Sequence, residues 1–313
     1  MVRAIVSDPL VFGRFTFREV EMPPPAPSEA IVQVKAISLN RGEVRDALNG
    51  EEVTKPGWDF AGVVLKPAQD GTGPKKGSRV VGLLPIGAWA EQVAARTSWL
   101  SEIPETVTFA QAVTLPVAGL SALYALRKGG LLLHKRVLIT GSTGGVGQFA
   151  HQLATMAGAY VVGTARTEKR AELVRDAGAS EVIVGESYSA ARGLGPFQLI
   201  LDTVGGDMLA GLLSTLVSGG ICVTMGYTNS PYASIDVRDL IHKGGTTLYG
   251  LFLLEELNRY SGADDLRLLA QLVAEGRLLP RIEVEASWKE IQSIAARLME
   301  RQYTGKAVLH VDE

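Results

Sequence analysis

The stretch Val137 to Thr164, VLITGSTGGVGQFAHQLATMAGAYVVGT, limits what this chain can fold into more than any other part of it. An apolar run rich in β-branched residues, Val137 to Thr140, stops at a glycine-dense turn, Gly141 to Gly147. Val146, Phe149, Leu153 and Met156 then recur three or four apart, as on one face of a helix. Gly158 is placed to end that helix before a second apolar run, Tyr160 to Val162. The pattern predicts strand, turn, helix, strand. Backbone N–H groups left free at the start of a helix carry partial positive charge and can hold a phosphate. Gly144 would allow close approach to a pyrophosphate and Gly147 close packing of helix on strand, as the second and third glycines of a dinucleotide fingerprint do. Ser142 stands at the first glycine position and breaks the strict pattern. No Lys followed by Ser or Thr comes after the last glycine, which argues against a P-loop.

The end of the second strand bears on the choice of cofactor. An Asp or Glu about 20 residues after the glycines binds the ribose 2′-hydroxyl of NAD and would repel a 2′-phosphate. Here the strand runs Gly163, Thr164, Ala165, Arg166 with no acid at its tip, and Thr167, Lys169 and Arg170 follow. Arg166 can make a charge-assisted contact to phosphate. These charges also suit the solvated opening of a helix over Glu168 to Ala177. The reading favours NADPH over NADH, with Thr164, Arg166, Lys169 and Arg170 around the 2′-phosphate, Thr143, Gly144, Gly145 and Val146 at the pyrophosphate, and Ser142 also among the cofactor-binding residues.

Composition narrows the class. At 313 residues the chain is long enough for two domains, and a net charge of −2 gives no electrostatic reason to expect nucleic acid or an anionic membrane as partner. The single cysteine, Cys222, rules out an internal disulfide framework and a cysteine-rich zinc site. It lies in an apolar run, as a buried structural thiol would. No apolar run is read as long enough for a membrane span, and the start MVRAIVSDP lacks a signal-peptide core, so a soluble cytoplasmic protein is expected.

The first hundred-odd residues read as β-rich, with apolar runs at Ala4 to Val6, Ala30 to Ala36, Gly62 to Leu65 and Arg79 to Leu83 divided by proline and glycine turns. No long helical pattern is read before about residue 109. In the middle, strands and helices alternate as a parallel sheet requires. After the fingerprint come strands at Glu181 to Val184, Leu199 to Leu201, Ile221 to Met225 and Thr247 to Tyr249. The turns after Thr140, Thr164, Leu201 and Met225 should line one crevice. Two helical patterns, Asp264 to Glu275 and Trp288 to Met299, and a strand, Lys306 to Val311, close the chain. Two lobes with the cofactor in the cleft are expected.

Several short motifs, in this order, resemble the medium-chain dehydrogenase/reductase superfamily and its zinc-free quinone oxidoreductase branch. They are Ser38-Leu39-Asn40, Pro56 to Val64, Gly77-Ser78-Arg79-Val80, Trp89-Ala90-Glu91, Leu115 to Ala122, the fingerprint, Asp202 to Gly206, and Gly305 to Leu309. The resemblance implies an α/β fold in which a Rossmann doubly wound parallel sheet is inserted into a β-rich GroES-like catalytic domain. The expected boundaries are residues 1–116, 117–250 and 251–313. It also implies homodimers joined through the sheet edge at Thr247 to Phe252, although a covered internal strand suits that segment nearly as well. The zinc-dependent members carry Gly-His-Glu where this chain has Gly57-Trp58-Asp59. The four histidines, His134, His151, His242 and His310, show no ligand-pair spacing and read as surface or structural residues, so no metal is expected.

The chemistry rests on that expectation. Reducing a simple ketone builds an alkoxide whose conjugate acid is about as weak as water, near 15.7, and usually needs a Lewis acid or a proton donor. A quinone or α,β-unsaturated carbonyl gives a delocalised anion, closer to a phenolate with a pKa of about 10. Hydrogen-bond donors then suffice. Asn40, which resembles the family's asparagine near the nicotinamide, is the best donor candidate and is otherwise a turn former. Tyr227 could donate to an oxyanion or pack on the cofactor. Ser121 resembles a family hydroxyl near the nicotinamide ribose and also suits a helix interior. Gly226, Tyr227, Phe252 and Leu253 resemble family positions along the adenosine and nicotinamide. Arg41, Glu43 and Arg45 read as a solvated face. Family members often cover the adenine with a tyrosine after the third strand of the Rossmann domain; here Gly185 stands there, with Tyr188 three residues on. Three readings stay open: an NADPH-dependent quinone or enone reductase acting on a small molecule, an enoyl-thioester reductase of polyketide or fatty-acyl metabolism, and an NADPH-binding protein with little turnover.

Overall fold

The computed structural model describes residues 1–185 and 188–312. The chain divides into two compact units, one of residues 1–120 with 257–313 and one of residues 121–256, so both boundaries fall a few residues later than expected. The first unit opens with β1 (Val2–Ser7), β2 (Phe15–Val20), β3 (Glu29–Ser38), α1 (Arg41–Asn49), β4 (Asp59–Lys66), β5 (Arg79–Leu83), β6 (Gln92–Arg96), β7 (Leu100–Glu102) and α2 (Phe109–Ala112). The second unit follows with α3 (Leu120–Lys128), β8 (Arg136–Ile139), α4 (Gly145–Met156), β9 (Tyr160–Ala165), α5 (Glu168–Asp176) and β10 (Glu181–Val184). It continues through α6 (Ala191–Leu194), β11 (Phe197–Asp202), α7 (Gly206–Leu213), β12 (Leu216–Thr224), α8 (Val237–Lys243), β13 (Thr247–Gly250) and α9 (Leu253–Glu256). The chain then returns to the first unit with α10 (Gly262–Ala274), β14 (Ile282–Ser287), α11 (Ile291–Met299) and β15 (Lys306–His310).

In the first unit, β1 and β2 form an antiparallel pair, and a larger sheet runs β14-β15-β3-β4-β5-β7 with β6 also on β3. All its pairs are antiparallel except β14 with β15. Along β3, Ala30, Val32, Val34 and Ala36 are buried while Lys35 is exposed, the alternation of a strand covered on one face. The core gathers Phe15, Phe60, Trp89 and Trp288, and the Trp288 indole N–H reaches the Asp312 carbonyl at 3.1 Å.

The nine-residue helix α1 adds to the sequence reading, which finds no long helical pattern before about residue 109. Asn40 sits at its N-cap, and the Glu43 side chain returns to the Asn40 N–H at 2.7 Å, as in a capping box. Arg41, Glu43 and Arg45 are therefore no uniformly solvated face: Glu43 is buried. A second correction concerns the helical stretch Phe109–Lys128, which is long and apolar enough by hydropathy to cross a bilayer. In this protein 78% of its most apolar window is buried inside the fold.

The second unit is a six-stranded parallel sheet in the order β10-β9-β8-β11-β12-β13. Numbered from β8, that order is the doubly wound 3-2-1-4-5-6, which reverses between β8 and β11. Both of those central strands are covered on two faces, and Val137 to Ile139 and Leu199 to Leu201 are accordingly buried without a break. At the carboxyl edge, the buried Asp202 carboxylate accepts from Thr140 Oγ1 at 2.8 Å and from the Gly205 N–H at 2.9 Å, and Thr140 Oγ1 in turn accepts from the Thr203 N–H at 3.0 Å. That carboxylate fixes the turn after β11 against the end of β8. His151, on α4, is fully buried against Gly163 of β9, and burial pushes its imidazole down to about 3, so the ring is neutral.

Asp202→Ala leaves at least two buried donors unpaired and should cost about 2–6 kcal/mol at ~1–3 kcal/mol each. Asp202→Asn, which keeps an acceptor, should cost less. Urea denaturation of the two variants checks the order, and equal losses would count against a hydrogen-bonding role for the carboxylate.

Candidate nucleotide cradle and the polar cluster around Asn40

In the second unit the glycine turn is built as a cradle. Gly144 is the exposed N-cap of α4, and the helix's first turn leaves the N–H groups of Gly145, Val146 and Gly147 without intrahelical acceptors. A Cβ on Gly144 would meet only the Gly141 carbonyl at 3.3 Å, whereas one on Gly147 would sit 2.6 Å from that carbonyl and from Ser142 Cα. The two glycines therefore differ in what they allow: Gly147 lets α4 lie on the turn, and Gly144 keeps its outer side open. Thr143 beside them is half-buried. Positive φ at Gly141, +59°, brings that residue against Thr203, whose Oγ1 would be 2.1 Å from an added Cβ. The turns after β8 and β11 thus touch at the point where the strand order reverses.

Ser142 departs from its expected role as a cofactor contact. Its buried hydroxyl donates to the Ile139 carbonyl at 2.7 Å and accepts from the Thr164 N–H at 2.9 Å. It ties the ends of β8 and β9 together, which explains why serine serves where the strict fingerprint has glycine.

At the tip of β9, Thr164 is half-buried, Arg166 and Lys169 are exposed, and Arg170 is half-buried. Thr167 caps α5, its hydroxyl accepting from the Arg170 N–H at 3.4 Å. The strand end itself, Thr164 to Arg166, carries no carboxylate, and the first one after it, Glu168, pairs with Arg175 at 2.7 Å. Gly226 and Tyr227 lie alongside the turn after β11: the Thr228 N–H reaches the Thr203 carbonyl at 3.2 Å and the Asn229 N–H the Val204 carbonyl at 2.9 Å. The Tyr227 ring is 47% exposed and Phe252 66%, while Leu253 is half-buried and Ser121 buried on α3. Tyr188 lies against α7 at Gly211, where a Cβ would come within 2.4 Å of its ring, and it packs on the core beneath the sheet. Tyr188 itself is partly buried.

The first unit holds the other candidate, Asn40, inside a polar cluster. Its amide nitrogen donates to Glu43 Oε1 at 2.9 Å and to Asp59 Oδ2 at 2.8 Å, and its Oδ1 accepts from Lys306 Nζ at 2.7 Å. Flipping the amide would set its carbonyl against two carboxyl groups and its NH2 against an ammonium, so the orientation is fixed. Both amide hydrogens are engaged. The expected donor to an oxyanion has no hydrogen left to give in this arrangement. Sequence reasoning misses the buried partners Glu43, Asp59 and Lys306, although Asn40-x-x-Glu43 carries the spacing of a capping box. Trp58, where zinc-dependent relatives have histidine, lies with its ring against Gly42 of α1. Among the described residues no three His, Cys, Asp or Glu side chains are disposed to hold a metal ion.

A sheet in the 3-2-1-4-5-6 order with an open glycine cradle, carried by a chain whose other unit is antiparallel, defines the class of two-unit dinucleotide-binding proteins. The family model for the alcohol dehydrogenase GroES-like domain matches residues 26–105, and that for the zinc-binding dehydrogenase matches residues 145–271. Quinone oxidoreductase-like protein 2 of Bos taurus is 27% identical, over 98% of this chain and 90% of its own length. A mycocerosic acid synthase-like polyketide synthase of Mycobacterium tuberculosis is 31% identical over 94% of this chain, which spans only 15% of that longer protein. The Escherichia coli quinone oxidoreductase complexed with NADPH has the same fold, with a TM-score of 0.87 at 24% identity over 99% of this chain and all of its own. This chain belongs to the medium-chain dehydrogenase/reductase superfamily, in its zinc-free quinone oxidoreductase branch.

Gly144→Val should fold with little loss of stability yet abolish dinucleotide binding, whereas Gly147→Val should cost about 1–3 kcal/mol or more through overpacking. Calorimetric titration beside thermal melting separates the two. Arg166→Ala should weaken NADPH binding by about 1.5–3 kcal/mol, the scale of a charge-assisted bond, and leave NADH nearly unchanged. An equal loss for both cofactors would move the phosphate site elsewhere.

Proposed function

We propose that this protein is an NADPH-dependent oxidoreductase that delivers hydride to a quinone or an α,β-unsaturated carbonyl without a catalytic zinc. The observation that carries the reading is the open cradle at Gly144 beside the end of β9, where Thr164, Ala165 and Arg166 close the strand with no acid and the next one, Glu168, pairs with Arg175. Residues 143–146 hold the pyrophosphate through backbone N–H groups. Thr164, Arg166 and Arg170 hold the 2′-phosphate, and Gly226, Tyr227, Phe252 and Leu253 line the rest of the cofactor. When bound, the reduced nicotinamide supplies the hydride. The negative charge that develops on the acceptor is delocalised, so the protein has only to position the reactants and tolerate a soft anion. Tyr227, with its half-exposed ring, is the side chain available to give a proton; water is the other source.

The polyketide synthase relative, matched across nearly the whole of this chain, favours one second reading, an enoyl-thioester reductase. Both reactions put a hydride on a conjugated acceptor, and they differ in the size of the group beyond the carbonyl. Steady-state oxidation of NADPH with 1,2- and 1,4-quinones, short enones and a crotonyl thioester should show turnover with the quinones or enones first. Preference for the thioester supports the second reading. Tight NADPH binding with no turnover on any acceptor leaves a binding protein.

We also propose that the protein assembles as a homodimer. β13 is the outer strand of its sheet, and Leu248 on it is 41% exposed. An apolar edge of this kind is a template for pairing with a second copy. A dimer is expected by light scattering, and Thr247→Pro with Leu248→Lys should yield monomers. A monomeric parent protein would remove the edge from consideration.

A further inference from the structure

The cluster around Asn40 buries two acids and one base: Glu43 is 3% exposed, Asp59 0% and Lys306 3%. The ammonium of Lys306 has three hydrogens, and they go to the Leu39 carbonyl at 3.1 Å, Asn40 Oδ1 at 2.7 Å and Asp59 Oδ2 at 3.2 Å. None is left for Glu43. Asp59 also accepts from Ser38 Oγ at 2.6 Å, Asn40 Nδ2 at 2.8 Å and the Val117 N–H at 2.9 Å, so it takes the cation and a full set of donors. Glu43 Oε1 accepts from Asn40 alone, and Glu43 Oε2 is buried with no partner among the described residues. A buried anionic oxygen without a donor or counter-charge is far costlier than a neutral hydroxyl in the same place.

We infer that Glu43 is held as a neutral carboxylic acid in the folded protein, and that in this form it is a positioning residue that keeps the Asn40 amide in the orientation its hydrogen bonds to Glu43, Asp59 and Lys306 define. Burial, then the nearby Asp59, pushes Glu43 up to about 8, against the opposing pull of Lys306 and the Asn40 bonds. Other charged groups of α1 and α11 have partners of their own. Arg41 donates to the Leu298 and Met299 carbonyls, Arg45 pairs with Asp46, and Arg297 lies over the Tyr303 ring. Loss of the proton sets a second anion beside Asp59. The two then compete for Lys306, and Asn40 Oδ1 loses the partner that fixes it.

The proton itself is inferred from the cluster alone; its effect on turnover rests on the proposed oxidoreductase reading. Infrared difference spectroscopy of the whole protein against Glu43→Gln should show a protonated-carboxyl C=O band at pH 7, sensitive to D2O, absent from the variant and lost as the pH passes about 8. Stability gives a second readout. The acid binds its proton more tightly folded than unfolded, so its contribution falls from about pH 4.5 to about pH 8. Glu43→Gln should lack that slope and melt progressively higher than wild type across the window. Turnover of NADPH should fall about tenfold per pH unit above 8 in wild type, with the limb moved up in the variant. A spectrum with no band lost, together with parallel melting curves, overturns the proton. A band that titrates while both proteins share one turnover profile overturns the positioning role. Absence of turnover from both proteins at every pH overturns the oxidoreductase reading, and the band still decides the proton.

Discussion

The hydrogen bond from Thr140 to Asp202 joins the ends of the two strands at which the sheet reverses, and the nucleotide cradle depends on it. A carboxylate buried at that point must find donors, and it finds them in the hydroxyl that ends β8 and in the backbone of the turn after β11. Burial raises Asp202 above the usual carboxylate range and those bonds pull it back, so the group is held between the two tendencies by its donors. Gly141 can then approach Thr203 only because it lacks a side chain and takes positive φ. The open side of Gly144 is thus set by contacts beneath it.

A buried carboxyl group in the other unit meets the same demand with a different result. Asp59 is satisfied by four donors from β3, the Asn40 cap, β15 and the segment at Val117. Glu43 is left with Asn40 alone. Two carboxyl groups and one ammonium removed from water cannot all be charged without a net buried charge. Asp202 has an acceptor role that donors complete; Glu43 has an oxygen that nothing among the described residues completes. The asymmetry of donors, more than burial as such, separates a structural carboxylate from one held neutral.

How much of the fold and site is legible in the chain depends on how local each signal is. The fingerprint strand, turn and helix are legible because periodicity and glycine spacing lie within one short window, and β10 falls on the expected Glu181 to Val184. The helix α1 escapes notice although Asn40 and Glu43 announce it, because alternating charge reads as solvation while the sheet and α11 cover one face. Ser142 reads as a ligand contact because its strand neighbour, Thr164, is distant in sequence. Tyr188 invites comparison with an adenine cover for the same reason, since nothing near it in sequence shows that its ring rests on Gly211 of α7. The hydrogens of Asn40 cannot be followed from sequence at all, because their acceptors lie on a helix and a separate strand and the amide is oriented by a lysine near the other end of the chain.

Two buried groups outside the nucleotide cradle give the stability of the fold opposing dependences on pH. His151 binds its proton far less tightly folded than unfolded, so its contribution rises from about pH 3 to about pH 6.5. Glu43 acts in the other direction between about pH 4.5 and about pH 8. Where the windows overlap, from about 4.5 to 6.5, the two slopes offset each other; below that range only the histidine acts, and above it only the glutamic acid. The unpartnered imidazole nitrogens and the unpartnered carboxyl oxygen share one physical origin, a polar atom enclosed by packing that supplies no partner among the described residues. On α4, against the sheet of the second unit, that enclosure keeps a base neutral, and beside Asn40 it keeps an acid neutral, so neither adds an uncompensated charge to the interior near neutral pH.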